Sequence, residues 1–331
     1  MTPQRRGQWS WAFYDWANSA FATTVMAGFF PLFFNQYWAV DVAPETQTLY
    51  QGITTTLASL FVMLTAPWFG ALADRRGTHV RWLAAFTVLG VVTTAALFLV
   101  GRGQWGWAMV LSVLGRIGFF GGLGFYDALL TRVAAPAQRD RVSALGYGLG
   151  YLGGGVLFAV NVLMALKPEW FGLPDAAWGT RVAFLSVALW WAVFSMPLFL
   201  TLPSLGEGDA AATEWPGVKA TLRLVRGMPA VWMFLLAYWL YIDGVDTIIV
   251  MAVDFGMKLG LPSDSLIKAL LLVQFIGFPA AIIFGRVGER LGTRNALLVA
   301  LAVVVLAITR GRDVRAGVVI GVASGMGFAT L

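Results

Sequence analysis

The chain has 331 residues, of which 59% are hydrophobic and only 12% charged, with a mean hydropathy of +0.75. Soluble domains carry roughly a quarter charged residues, so this composition argues against a water-soluble enzyme and for an all-α multi-pass membrane protein. The absence of cysteine excludes disulfides, thiolate catalysis and Cys-ligated metals, and in an apolar chain a net charge of +6 points to lipid headgroups and topology rather than nucleic acid.

The first predicted span, residues 9–38, follows Arg5 and Arg6 and outruns a signal-peptide apolar region of about 7 to 15 residues. It carries Asp15 and Asn18. A central Asp costs roughly 2.5 to 3.5 kcal/mol on insertion, so it is retained where it meets water, a partner or a substrate. Further spans are expected at 50–73, 82–101, 104–130, 142–165 and 181–202. A polar, charged stretch at 203–228 reads as a cytoplasmic linker between a first half of six helices, 1–202, and a second half, 229–331. Spans at 229–256, 265–287, 295–309 and 316–331 complete ten. With the N-terminus inside, 14 Lys and Arg fall on the cytoplasmic side against 8 outside, which supports that orientation in a cell membrane.

Two features recur in both halves. Asp243 and Asp246 in the seventh span repeat the i,i+3 spacing of Asp15 and Asn18, which places each pair on one helical face. At the end of the second span, Gly70, Asp74, Arg75, Gly77 and Thr78 reappear after the eighth as Gly285, Glu289, Arg290, Gly292 and Thr293. The first glycine of each copy is expected to allow close helix approach and the second a tight turn, while the acid pairs with arginine near the helix ends. Such a clasp can hold one conformation and release in another; alternatively it only sets a short loop.

Other residues have two readings. Arg116, mid-way along the fourth span, is expected to face a central cavity and meet Asp15, Asp243 or a substrate carboxylate, or else to form a structural ion pair. Asp127 shares its face about 16 Å further along the axis, too far to pair with Arg116, and fits a gating role near the cytoplasmic end. Gly146, Gly150 and Gly154 recur every fourth residue in the fifth span, a packing face along which two halves could also slide. His79, the only histidine, reads as a loop residue, and Trp38, Trp105, Trp107 and Trp178 read as interfacial. No metal-ligand spacing, catalytic triad or phosphate-binding loop is present, so no cofactor is expected and ATP is not indicated.

The doubled loop, with Arg81 completing its first copy and Ala296 departing from the pattern in the second, resembles the G-x-x-x-D-R-x-G-x-x-x-R signature of the major facilitator superfamily. Within that superfamily, residues 14–21, YDWANSAF, are similar to the first-span hallmark of the vacuole effluxer family, the autophagy-related permeases and their bacterial relatives. Residues 125–130, FYDALL, and the glycine-rich 141–155 extend the likeness. The resemblance implies two six-helix bundles with alternating access, and amino-acid export among the family's eukaryotic members. It also implies about twelve spans, so the chain is expected to stop inside the tenth, with its second bundle incomplete.

The function expected is therefore a permease for a small solute, amino acids among the candidates, coupled to a proton or other ion exchanged at Asp15, Asp243 or Asp246. Asp15, Asn18, Arg116, Asp243 and Asp246 are the expected binding residues; Gly70, Asp74, Arg75, Gly77, Arg81, Asp127, Gly285, Glu289, Arg290 and Gly292 are the expected gate. The alternatives are a non-transporting receptor or scaffold, a channel, or a drug or metabolite effluxer of the same fold.

Overall fold

The computed structural model describes residues 2–202 and 218–292, with positions 295, 298, 299 and 302 beyond them. The expected ninth and tenth spans thus lie largely outside the described residues. Helices run Pro3–Trp38, Pro44–Arg76, His79–Leu99, Trp105–Val133, Arg139–Leu166 and Ala176–Thr201, followed by a short Val218–Arg226 and then Pro229–Lys258 and Ser263–Leu291. Seven of these are long and apolar enough to cross a membrane. The remaining long helix, the seventh, has its apolar stretch at Pro229–Leu240. Within the expected linker, Val218–Arg226 is helical, and 203–217 lie outside the described residues.

Local chemistry sets the helix ends. Thr2 accepts a hydrogen bond from the Arg5 amide and Pro3 occupies the first turn, so the first helix starts before its apolar stretch begins. The Asp175 carboxylate takes the Trp178 amide at 2.8 Å and starts the sixth helix. Gly77 closes the second helix with φ 64°, and Gly292 follows the eighth with φ 76°. A left-handed residue at the corresponding place in both halves explains the paired glycines, since any side chain there is strained.

The first helix is the axis of the first half. In its apolar window 89% of residues are buried, against 11% in the second helix, whose Leu57, Phe61, Met63, Leu64 and Trp68 face outward. It is also irregular, with wide π turns at Phe21–Phe29 and Phe34–Trp38. Such turns often mark functional positions in membrane helices, and here they begin three residues after Asn18. Trp38 is fully buried, its indole N–H donating to the Val100 carbonyl at 3.3 Å and its ring stacked on Phe184. It is a core residue rather than an interfacial one, because the second π turn rotates it inward among Phe30, Phe33 and Phe184.

Lipid supplies no hydrophobic drive between helices, so packing depends on close backbone approach. A Cβ on Gly118 would lie 2.5 Å from the Gly90 amide nitrogen, which presses the third and fourth helices together. On the fifth helix, Gly146, Gly150 and Gly154 abut Trp11, Ser19 and Thr23 of the first helix. That face lies within the first half. The halves instead meet on other positions, where Gly148 and Gly155 oppose Ile282 and Gln274, and Gly277 of the eighth helix opposes Tyr151.

Candidate functional site

Three consecutive residues of the first helix point to three different neighbours. The Tyr14 hydroxyl hydrogen-bonds with Thr87 of the third helix at 2.9 Å, and its ring lies 5.0 Å from Tyr126 of the fourth. Trp16 stacks on Trp190 of the sixth at 5.5 Å, and the Trp190 indole N–H donates to the Trp16 carbonyl. Between them Asp15, 9% exposed, turns toward the fifth helix, where a Cβ on Gly150 would come within 3.1 Å of its carboxylate. The aromatic pair fixes the rotation of the helix and so holds an acid inside the protein. Ser19 donates to Asp15 at 3.3 Å, and Tyr126 and Asp127 lie within electrostatic reach of it.

Several buried polar atoms here have no hydrogen-bond partner among the described residues: Asn18 Oδ1, Thr24 Oγ1, the Tyr126 hydroxyl and Arg116 Nη1. Arg116 is 2% exposed and its Nε donates to Ser112 at 3.3 Å. No carboxylate pairs with it among the described residues. Gly115 beside it packs on the Phe21 ring, six residues beyond Asp15, and neither a hydrogen bond nor an ion pair joins Arg116 to Asp15 among the described residues. The structure therefore does not bring these two together. Asp243 and Asp246 lie in the helix Pro229–Lys258, but their side chains fall outside the described residues. That helix meets the first chiefly along Phe21–Phe33, outward of Asp15.

At the turn between the second and third helices, Asp74 is 75% exposed and hydrogen-bonds with His79 Nε2 at 2.9 Å, while Arg132 Nη2 lies 3.3 Å from His79 Nδ1. His79 is thus no loop residue: it opens the third helix, is buried, and bridges the second and fourth. A Cβ on Gly70 would meet nothing within 4 Å, so close helix approach is not its role in this conformation. Arg75, Arg81, Asp127 and Arg290 are exposed; the side-chain environments at positions 285 and 289 are outside the described residues.

One cluster went unrecognised in the sequence. Asp254, 1% exposed near the end of the seventh helix, accepts hydrogen bonds from Asn35 (2.9 Å), Thr48 (2.8 Å), Gln51 (3.4 Å) and Lys258 (3.2 Å). Lys258 also donates to the Pro44 carbonyl at 3.0 Å, and Gln51 to Asn35 Oδ1 at 2.9 Å. Asn35 inside an apolar span, with Asp254 and Lys258 spaced i,i+4, was the available signal.

Comparison with known proteins agrees with this architecture. The family described as vacuole effluxer Atg22 like matches residues 43–311. The chain is 31% identical over 300 residues to an uncharacterised MFS-type transporter, YxiO of Bacillus subtilis, covering 89% of this chain and 70% of that one. It is 28% identical over 171 residues to autophagy-related protein 22 of Pyricularia oryzae, covering 46% of this chain and 24% of the fungal protein. Among solved structures, the E. coli xylose transporter XylE in a partially occluded inward-open conformation superposes with a TM-score of 0.68 at 12% identity, over 99% of this chain and 86% of that one. A bacterial homologue of ferroportin in an outward-facing state gives 0.64 at 15% identity, over 100% and 83%. These likenesses establish the fold, two helical bundles of the major facilitator type. The chain belongs to the vacuole effluxer Atg22-like family of MFS-type transporters and is a multi-pass membrane protein rather than an enzyme.

Proposed function

We propose that the chain is a secondary transporter that moves a small solute, with amino acids the leading candidates, by rocking an N-terminal bundle, 1–202, against a C-terminal one that begins at 229. Asp15 is the proton-exchanging group, and Arg116 and Asn18 receive the solute's polar groups together with Asp243 and Asp246 of the seventh helix. The N-terminus and the linker lie in the cytoplasm, and the membrane is the plasma membrane.

The observation that carries this reading is the set of unsatisfied atoms around the first helix. A buried polar group without a partner costs about 1 to 3 kcal/mol, more when charged, so Asn18 Oδ1 and Arg116 Nη1 are expensive unless something relieves them. An acidic or amide-bearing solute would do so. An acid held by tightly packed aromatics, beside a glycine and not ion-paired to Arg116, is suited to take and release a proton.

The test is a thermal-shift screen of the purified protein against amino acids, peptides and organic ions, followed by flux of each stabilising compound in proteoliposomes. Binding to the native state raises apparent stability. Saturable flux of a stabilising amino acid is the expected result; stabilisation without flux would favour a receptor, and ohmic conductance a channel. A stabilising set of bulky apolar cations would move the substrate class to drug efflux.

A further inference from the structure

We infer that the Asp254 cluster is the outer latch of this protein, the contact that closes the external side and must dissolve for that side to open. This rests on the alternating-access reading. Asn35 belongs to the first helix, Thr48 and Gln51 to the second, and Asp254 and Lys258 to the seventh, so the bonds join the two halves rather than brace one of them. They sit at the end of the first helix opposite Arg5 and Arg6 and at the start of the second, which is the external end in the proposed orientation.

Chemistry distinguishes the cluster from routine helix packing. Asp254 is buried yet fully engaged, with both carboxylate oxygens taking donors from two helices of the other half as well as Lys258 of its own. Lys258 extends the link by donating to the Pro44 carbonyl across the interface. Every donor is a side chain that water can replace when the halves part, so no backbone ladder has to break. On the opposite side, Asp74 is 75% exposed and its partner His79 belongs to the same half, so that pair does not tie the halves together. Among the described residues, polar contacts that join the halves are thus gathered at this end, where a rocking pair of bundles would need its outer closure.

The native chain has no cysteine, so one can be introduced as a reporter. Thr54 is fully buried one turn inward of Gln51, whose carbonyl accepts its hydroxyl at 2.7 Å, and on this inference it is reached from outside only when the latch opens. Thr54→Cys is labelled in sealed vesicles of known orientation with a membrane-impermeant maleimide added externally. The latch predicts that Asp254→Asn raises the labelling rate several-fold, that Asp254→Glu raises it less, and that Thr48→Val shifts it in the direction of Asp254→Asn. An unchanged rate in folded Asp254→Asn overturns the inference. If Asp254→Asn does not fold, Thr48→Val and Gln51→Leu decide it, and unchanged rates in both overturn it equally. Because labelling needs no substrate, absent flux with latch-dependent labelling would remove the transport reading alone.

Discussion

The packing of Asp15 against Gly150 gives the sharpest prediction. A methyl group at Gly150 would lie 2.6 Å from Ser19 Oγ and 3.1 Å from the Asp15 carboxylate, whereas comfortable contacts between heavy atoms are about 3.5 to 4.0 Å. Gly150→Ala must therefore displace Ser19 by roughly 1 Å, which breaks its hydrogen bond to Asp15. Overpacking of this kind costs about 1 to 3 kcal/mol, and the better helix propensity of Ala returns up to about 1. The expected net loss is about 1 kcal/mol, or about 2 °C in apparent Tm for a chain of this length. Flux should fall much further, because the altered group is the acid itself. The 15 tryptophans provide the fluorescence readout for unfolding. Gly124→Ala is the control, since its Cβ meets nothing within 4 Å and it should be neutral or slightly stabilising. Adding Ser19→Ala to Gly150→Ala should recover most of the lost Tm. If Gly150→Ala matches Gly124→Ala in both Tm and flux, Asp15 is not held as described.

Asp243→Asn or Asp246→Asn should leave membrane insertion intact, because neutralisation lowers the cost of the seventh span by a few kcal/mol, while flux drops roughly tenfold or more; immunoblotting of membranes and proteoliposome uptake separate the two. Arg116→Gln should weaken binding of an acidic solute by about tenfold, the worth of a lost charge-assisted hydrogen bond of roughly 1.5 kcal/mol, without lowering Tm, because it removes a buried charge that has no counter-ion among the described residues. Asp74→Asn should raise cytoplasmic accessibility of the cavity, read by labelling of cysteines introduced there, and leave solute binding in place.

The helices were legible because lipid imposes a single rule, about 20 apolar residues per crossing, and the chain obeys it over most of its length. Their polar extensions were not legible. The first helix begins at Pro3 and the second at Pro44, six residues before their expected starts, because caps and prolines rather than hydropathy set those ends. The doubled turn was readable down to its geometry, with Gly77 and Gly292 both left-handed. Periodicity showed that Gly146, Gly150 and Gly154 share a face but could not say which helix that face meets; the neighbour is the first helix, not the other half. His79 was misread because its role depends on Asp74 and on Arg132, 53 residues away, and such a contact leaves no local trace. Asp254 drew no reading from the sequence for the same reason: its partners at 35, 48 and 51 come from the other half.

The account stands most directly on solute accumulation under an imposed pH gradient. With a compound identified by thermal shift, wild-type proteoliposomes should concentrate it against its own gradient while the pH gradient lasts. Asp15→Asn should bind the compound and exchange it across the membrane without accumulating it. Accumulation by Asp15→Asn equal to that of the wild type, or wild-type flux indifferent to the gradient, would contradict the assignment of Asp15 as the coupling group.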